Sequence, residues 1–418
     1  MNKKTIASIV LLVGAAAAAM RQSVINVPAF YDGVYTQGLV VTENGAIVDG
    51  ADISNSGTGP CLKVTGDNVT IRNSKIHGCK DHGILLLGVN NVLVENNEVW
   101  NTAMRNPPNT ISGGWPSQIK VQSVDETAEG LAHHITIRGN YVHHGYGEGM
   151  GLRGSYITVE GNTVQDNYSV GIYGNSDHAT IRGNFVLCTG DPKYNRDGLP
   201  MSGIGFAEET FAKWGAHGHD SQVVVNNVVE GCKYGFRYGA SANGMGLVNS
   251  VIAFNTFSNI KAASVSITYY ANQANVTVQN NIVSSVLSMK NIADAGNVKY
   301  VFAQGSQAED YRLTGPLLAT GPHLVEVDYG GAVRSSPLDA GAWEFFGEIL
   351  PVTFTQVPAS ATATFIPTIT QTRTAVPSAT WTASPIPTFT QTRTAVPSAT
   401  PTPECIYFYS HKETVCIQ

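Results

Sequence analysis

An eight-residue phrase, approximately V-x-I-x-x-N-x-V, recurs down most of this chain and limits what it can fold into. Its copies occupy residues 69–76, 92–99, 135–142, 157–164, 179–186, 222–229, 250–257 and 276–283. Apolar residues alternate at its first and third positions, so each copy reads as a short strand followed by a turn. The sixth position is Ser74, Asn97, Asn140, Asn162, Asn184, Asn227, Asn255 and Asn281, with successive intervals of 23, 43, 22, 22, 43, 28 and 26 residues. A unit of roughly 22 residues lies in the range of solenoid repeats. Each interval of 43 is close to two units, which predicts two coils without a readable phrase.

A unit this short cannot bury its own apolar face, and stacking supplies the remedy. In a stack of coils, Ile71, Val94, Ile137, Val159, Ile181, Val224, Ile252 and Val278 form one inward column. The Asn residues tolerate left-handed turns, and their amides can bond along the stack. A sandwich or barrel would not hold this period with one residue type at each corner. The fold expected is therefore all-β, a solenoid of parallel coils.

The phrase and its spacing resemble the right-handed parallel β-helix repeats of the pectate-lyase-like superfamily, over residues 30–345. Asp32, Gly33, Val34 and Tyr35 resemble the entry to such helices, and the segment from Ser336 through Asp339 and Trp343 to Glu344 resembles their closing segment. The resemblance implies a polysaccharide as partner, and either lyase or hydrolase chemistry. Asn195, Arg196, Asp197 and Gly198, with His217 and Gly218, resemble the polygalacturonase branch, although Arg196 replaces its Thr.

Composition changes at both ends. Residues 1–19, with Lys3, Lys4 and a run of alanines, read as a secretory signal peptide, and no other stretch is apolar enough to span a bilayer. The β-helix domain is assigned to residues 20–350. Residues 351–403 form a Thr/Pro-rich linker in which 366–380 recur as 386–400. This composition cannot build a core and predicts an extended stalk. Residues 404–418 read as a small hairpin in which Cys405 and Cys416 face each other and form a disulfide, as suits a secreted or cell-surface protein. Cys61 is expected in the core, and Cys188 and Cys232 two coils apart, too far to bridge. A net charge of −6 gives no reason to expect nucleic acid.

Chemistry on a solenoid belongs to its outer faces and loops. Insertions at residues 101–134 and 188–221 bracket three regular coils and predict a trough between them. His144 and Asp166 each follow the ruler Asn by four residues, so they should be neighbours one coil apart. With Arg153, Glu148 and His178 they form a candidate catalytic set: a base, its orienting carboxylate and an electrophilic stabiliser. Tyr146, Tyr168, Tyr173, Lys193, Arg196 and Trp214 are candidates for holding a glycan by stacking and charge. The resemblance also implies calcium, for which Asp125, Glu126 and Glu129 are candidate ligands. No lysine is evident in the trough. Alternating signs at Arg72 and Glu95, and at Arg138, Glu160 and Arg182, read as a structural ion-pair ladder. The function expected is binding and lyase-like cleavage of a uronate-containing glycan. The alternatives are a non-catalytic surface adhesin or fibre, and an inverting glycoside hydrolase.

Overall fold

The computed structural model describes residues 28–104, 116–124, 132–196, 198–208, 219–240, 246–267, 273–292, 294–322, 324–336 and 338–345, with the backbone of the strands Glu404–Phe408 and Glu413–Ile417. Alternating apolar residues build three parallel sheets of 11, 11 and 10 strands, and every coil contributes one strand to each sheet in turn up to the last. The inward column from Ile71 to Val278 is fully buried. No described helix is long and apolar enough to cross a membrane.

The corner between the first and second sheets is held by side-chain amides. Asn97 Nδ2 donates to Asn140 Oδ1, Asn140 to Asn162, Asn162 to Asn184, Asn184 to Asn227, Asn227 to Asn255 and Asn255 to Asn281, each at 2.9 Å. Asn281 continues the series to Asn297 at 2.8 Å. Each Asn from Asn97 on also ties the main chain of the preceding coil, as Asn140 Nδ2 does with Val94 O at 3.0 Å. Burial leaves these amides no water partner, so every polar atom must find one in the stack. On the outer face of the first sheet, Arg72 pairs with Asp49, Arg138 with Glu95 and Arg182 with Glu160. Each arginine reaches the acid one coil before it.

The intervals of 43 residues are not pairs of coils. Val94 pairs directly with Ile137, and Ile181 with Val224. Each is one coil with insertions, because the rise from coil to coil is set by the inter-strand hydrogen bonds and not by chain length. The two insertions also contain the third-sheet strands Ser117–Gln122 and Ser202–Glu208. They therefore divide into connections from the second sheet to the third, 101–116 and 188–201, and connections from the third sheet to the first, 123–132 and 209–218.

The cysteine expectations change for the same reason. Cys188 and Cys232 lie in adjacent coils with Cα atoms 5.0 Å apart and are bonded. Cys61 is buried, as expected of a core position, but it is bonded to Cys79, with Cα atoms 5.6 Å apart.

Residues 302–345 form a strap over the second sheet. Phe185, Leu187 and Val228 on that sheet pack against Ala308, Tyr311, Ala342 and Trp343. Trp343 Nε1 donates to Ala308 O at 3.0 Å. A fully buried Arg334–Glu344 ion pair at 3.0 Å anchors the strap, and the guanidinium lies over the Phe254 ring. The hairpin strands Glu404–Phe408 and Glu413–Ile417 pair antiparallel with Cys405 opposite Cys416, while the bond between those side chains lies outside the described residues.

Candidate functional site

The two coils between those that carry the insertions present one surface, the outer face of the third sheet at Glu148–Leu152 and Val170–Gly174. Register places Lys120, Gly151, Tyr173, Gly205 and Arg237 in a single outward row across five successive coils. Their inward neighbours Ile119, Met150, Ile172, Ile204 and Phe236 are all fully buried. The row therefore alternates a long side chain with a glycine.

At its start a polar cluster lies across Gly151. Ser117 Oγ donates to Glu148 Oε2 at 2.6 Å, and Lys120 Nζ stands 3.7 Å from the same oxygen. A β-carbon on Gly151 would collide with Ser117 Oγ and the Glu148 carboxylate, so glycine is what lets these groups converge. The Ser117 N–H lies 2.9 Å from His82 Nδ1, whose Nε2 stands 3.7 Å from Asp81. Lys120 is the trough lysine absent from the sequence reading. The alternation in Gln118, Ile119, Lys120, Val121 and Gln122 was its available signal.

Around this face the proposed set divides into three groups. Glu148 and Tyr173 lie on the third sheet, and Arg153 follows at its edge, its N–H bonded to Val121 O. His144 and Asp166 do face each other one coil apart, since His143 pairs with Gln165 and Gly145 with Asn167, but they sit at the corner after the second sheet. Asp166 is buried there, with its carboxylate accepting from Thr189 N at 2.9 Å, Thr189 Oγ1 at 2.8 Å and Gln165 Nε2 at 3.2 Å. It anchors the entry of the 188–201 segment and does not orient His144. His144 instead packs edge-on to Tyr194, which stacks on Tyr146. His178 stands at the third corner, stacked on Tyr156. Tyr168 is buried and offers no surface to a ligand. Lys193 and Arg196 are exposed on the 188–201 segment. Trp214 and the acidic triplet Asp125, Glu126 and Glu129 lie outside the described residues, and no three His, Cys, Asp or Glu among those described could hold a metal.

A second set of rings lies on the second sheet ahead of the strap. His77 stacks on Trp100 with centroids 4.5 Å apart, Trp100 on His143 at 6.1 Å, and His143 on Tyr141 at 4.0 Å. Burial, then the adjacent His144, lowers the His143 pKa to about 3. Its 3.4 Å approach to Glu98 is therefore a neutral contact at ordinary pH. Burial also raises the Tyr141 hydroxyl to about 12, with Asp166 and Glu98 adding to the shift.

Three parallel sheets wound coil upon coil, with a one-residue amide ladder at one corner, together define a right-handed parallel β-helix repeat protein. Residues 20–186 match the family model described as the right-handed beta helix region. Among solved structures the chain is similar to the pectate lyase Pel9A, at 15% identity over 79% of this chain and 90% of that one, with a TM-score of 0.46. It is similar to an alginate lyase from Paenibacillus sp. strain FPU-7, at 17% identity over 60% and 78%, TM-score 0.38. The surface adhesin PfbA of Streptococcus pneumoniae is a third, at 16% identity over 65% and 77%, TM-score 0.39. Likenesses this distant carry no argument about activity. No curated protein matches the chain.

Proposed function

We propose that this chain binds an anionic, uronate-containing polysaccharide along the outer face of its third sheet and cleaves it by β-elimination. The observation that carries the reading is the row Lys120, Gly151, Tyr173, Gly205 and Arg237, which has a cation at each end and a ring between. At about 4.8 Å per coil its ends are about 19 Å apart, room for several sugar units. Lys120 and Arg237 pair with uronate carboxylates, and Tyr173 packs against a ring between them. Neutralising a carboxylate acidifies the adjacent C–H. Glu148, oriented by Ser117 and Lys120, takes that proton; the electron pair forms the new C=C bond, the glycosidic C–O bond breaks, and the leaving oxygen takes a proton from water. Two disulfides support an oxidising, extracellular setting, in keeping with the signal-peptide reading of residues 1–19.

Digestion of polygalacturonate, alginate and glycosaminoglycans, followed by the ultraviolet absorbance of unsaturated chain ends, tests the reaction. Product from one polymer, abolished by Glu148→Gln with binding retained, is the expected result. Binding without product from any polymer would replace cleavage with display of a glycan-binding surface.

A further inference from the structure

The residue that enters the first sheet has a left-handed backbone in eight successive coils. These residues are Asn68, Asn91, His134, Tyr156, His178, Ser221, Asn249 and Asn275, with φ between 49° and 58°. Strand register aligns them in one column. Asn suits this conformation because its short amide bonds locally, whereas a bulky ring there is a conformational outlier. The Asn residues also bond along the column: Asn91 Nδ2 donates to Asn68 Oδ1 at 2.7 Å, and Asn275 Nδ2 to Asn249 Oδ1 at 2.9 Å.

Three consecutive coils abandon that arrangement for rings. His134 stacks on Tyr156 with centroids 5.1 Å apart and planes 7° from parallel, and Tyr156 on His178 at 4.6 Å and 24°. Tyr156 is 51% exposed, so core packing does not account for it. The separations match the spacing between neighbouring strands, about 4.8 Å, and the half-exposed Tyr156 leaves part of this ladder open to a ligand. Each ring follows, across one corner, the third-sheet strand that carries Lys120, Glu148 or Tyr173 in turn. Backbone strain concentrated beside one surface points to a use for the residues that bear it.

We propose that His134, Tyr156 and His178 form a carbohydrate-contact strip along the edge of the trough. It rests on the polysaccharide reading above and extends it to a second line of contact. The exposed ring surfaces pack against the apolar faces of sugar rings, while the phenol hydroxyl and imidazole nitrogens bond to sugar hydroxyl groups.

The column itself supplies the test. His134→Asn, Tyr156→Asn and His178→Asn restore the residue that the solenoid uses elsewhere at this corner, so the combined variant keeps its fold and unfolding temperature. Affinity electrophoresis of the whole protein with polygalacturonate and alginate should then show binding weakened at least about tenfold. Tyr156→Phe, which keeps the ring, should bind nearly as the parent does, and Tyr156→Asn alone gives the comparison should the combined variant fail to fold. Parent-like binding by the folded Asn variants, with the parent binding polymer, overturns the strip and leaves the trough reading intact. A parent that binds neither polymer nor any glycosaminoglycan overturns both.

Discussion

Asn97 Nδ2 donates to Asn140 Oδ1 at 2.9 Å although 43 residues separate them. The Asn140 amide also receives the Asn97 N–H at 3.0 Å and serves Val94 O and Asn162 Oδ1. Asn140→Ala strands these buried groups together, and the expected loss is about 3 kcal/mol, the cost of one to three unsatisfied groups. Urea unfolding of the variant against the parent measures it; a loss within experimental error would show that the ladder contributes nothing to stability.

Acid should weaken the fold through His143. Its folded pKa is lowered from 6.5 to about 3. Between those values the unfolded chain holds a proton that the folded chain refuses. Stability from this group is therefore complete above pH 6.5 and falls as pH drops towards 3, by at most about 1.4 kcal/mol per pH unit. His143→Gln should flatten that part of the stability curve, and NMR titration of the ring should place its midpoint well below that of an ordinary imidazole.

Breaking the Cys188–Cys232 bond frees a 44-residue separation. Chain entropy sets the cost of the double Ser variant at about 4 kcal/mol. The same bond pins the base of the 188–201 segment, so limited proteolysis should cut there in the variant before it cuts the coils.

Lys120→Ala should remove polymer binding and turnover together, because the ammonium serves both. Glu148→Gln should reduce turnover at least about a hundredfold with little change in binding, the usual scale of proton-transfer catalysis. Gly151→Ala places a methyl group against Ser117 and Glu148, and should cost turnover through the displaced carboxylate while leaving the circular dichroism spectrum unchanged.

Glu344→Gln removes the carboxylate bonded to buried Arg334 and leaves it only the charges of Asp328 and Asp339. A penalty of about 3–5 kcal/mol is expected for a broken buried pair. Proteolysis within residues 302–345, ahead of the coils, would identify the strap as the part released.

Much of this architecture was legible in the chain, and the Asn ruler explains why. A solenoid repeats one environment, so residues at equal offsets from Asn140 and Asn162 occupy equal places, and His144 was correctly set opposite Asp166. The same ruler misled where phrases were missing. An insertion lengthens the chain without raising the coil, so Cys188 and Cys232 were set one coil too far apart, and Lys120 was hidden inside what read as a loop. Nor does sequence offset reveal what a polar side chain does on arrival: Asp166 spends its oxygens on Thr189, and Tyr168 turns into the interior.

The amide ladder also has a direction. Every Asn from Asn97 onwards gives its Nδ2 hydrogen to the coil that follows, so a partly built rod always ends in a donor awaiting the next turn of chain. Asn297 breaks that succession by giving its Nδ2 hydrogen to Asp294, 2.6 Å away in its own coil. The ladder of side-chain amides thus carries a chemical full stop, written by a carboxylate of its own last turn.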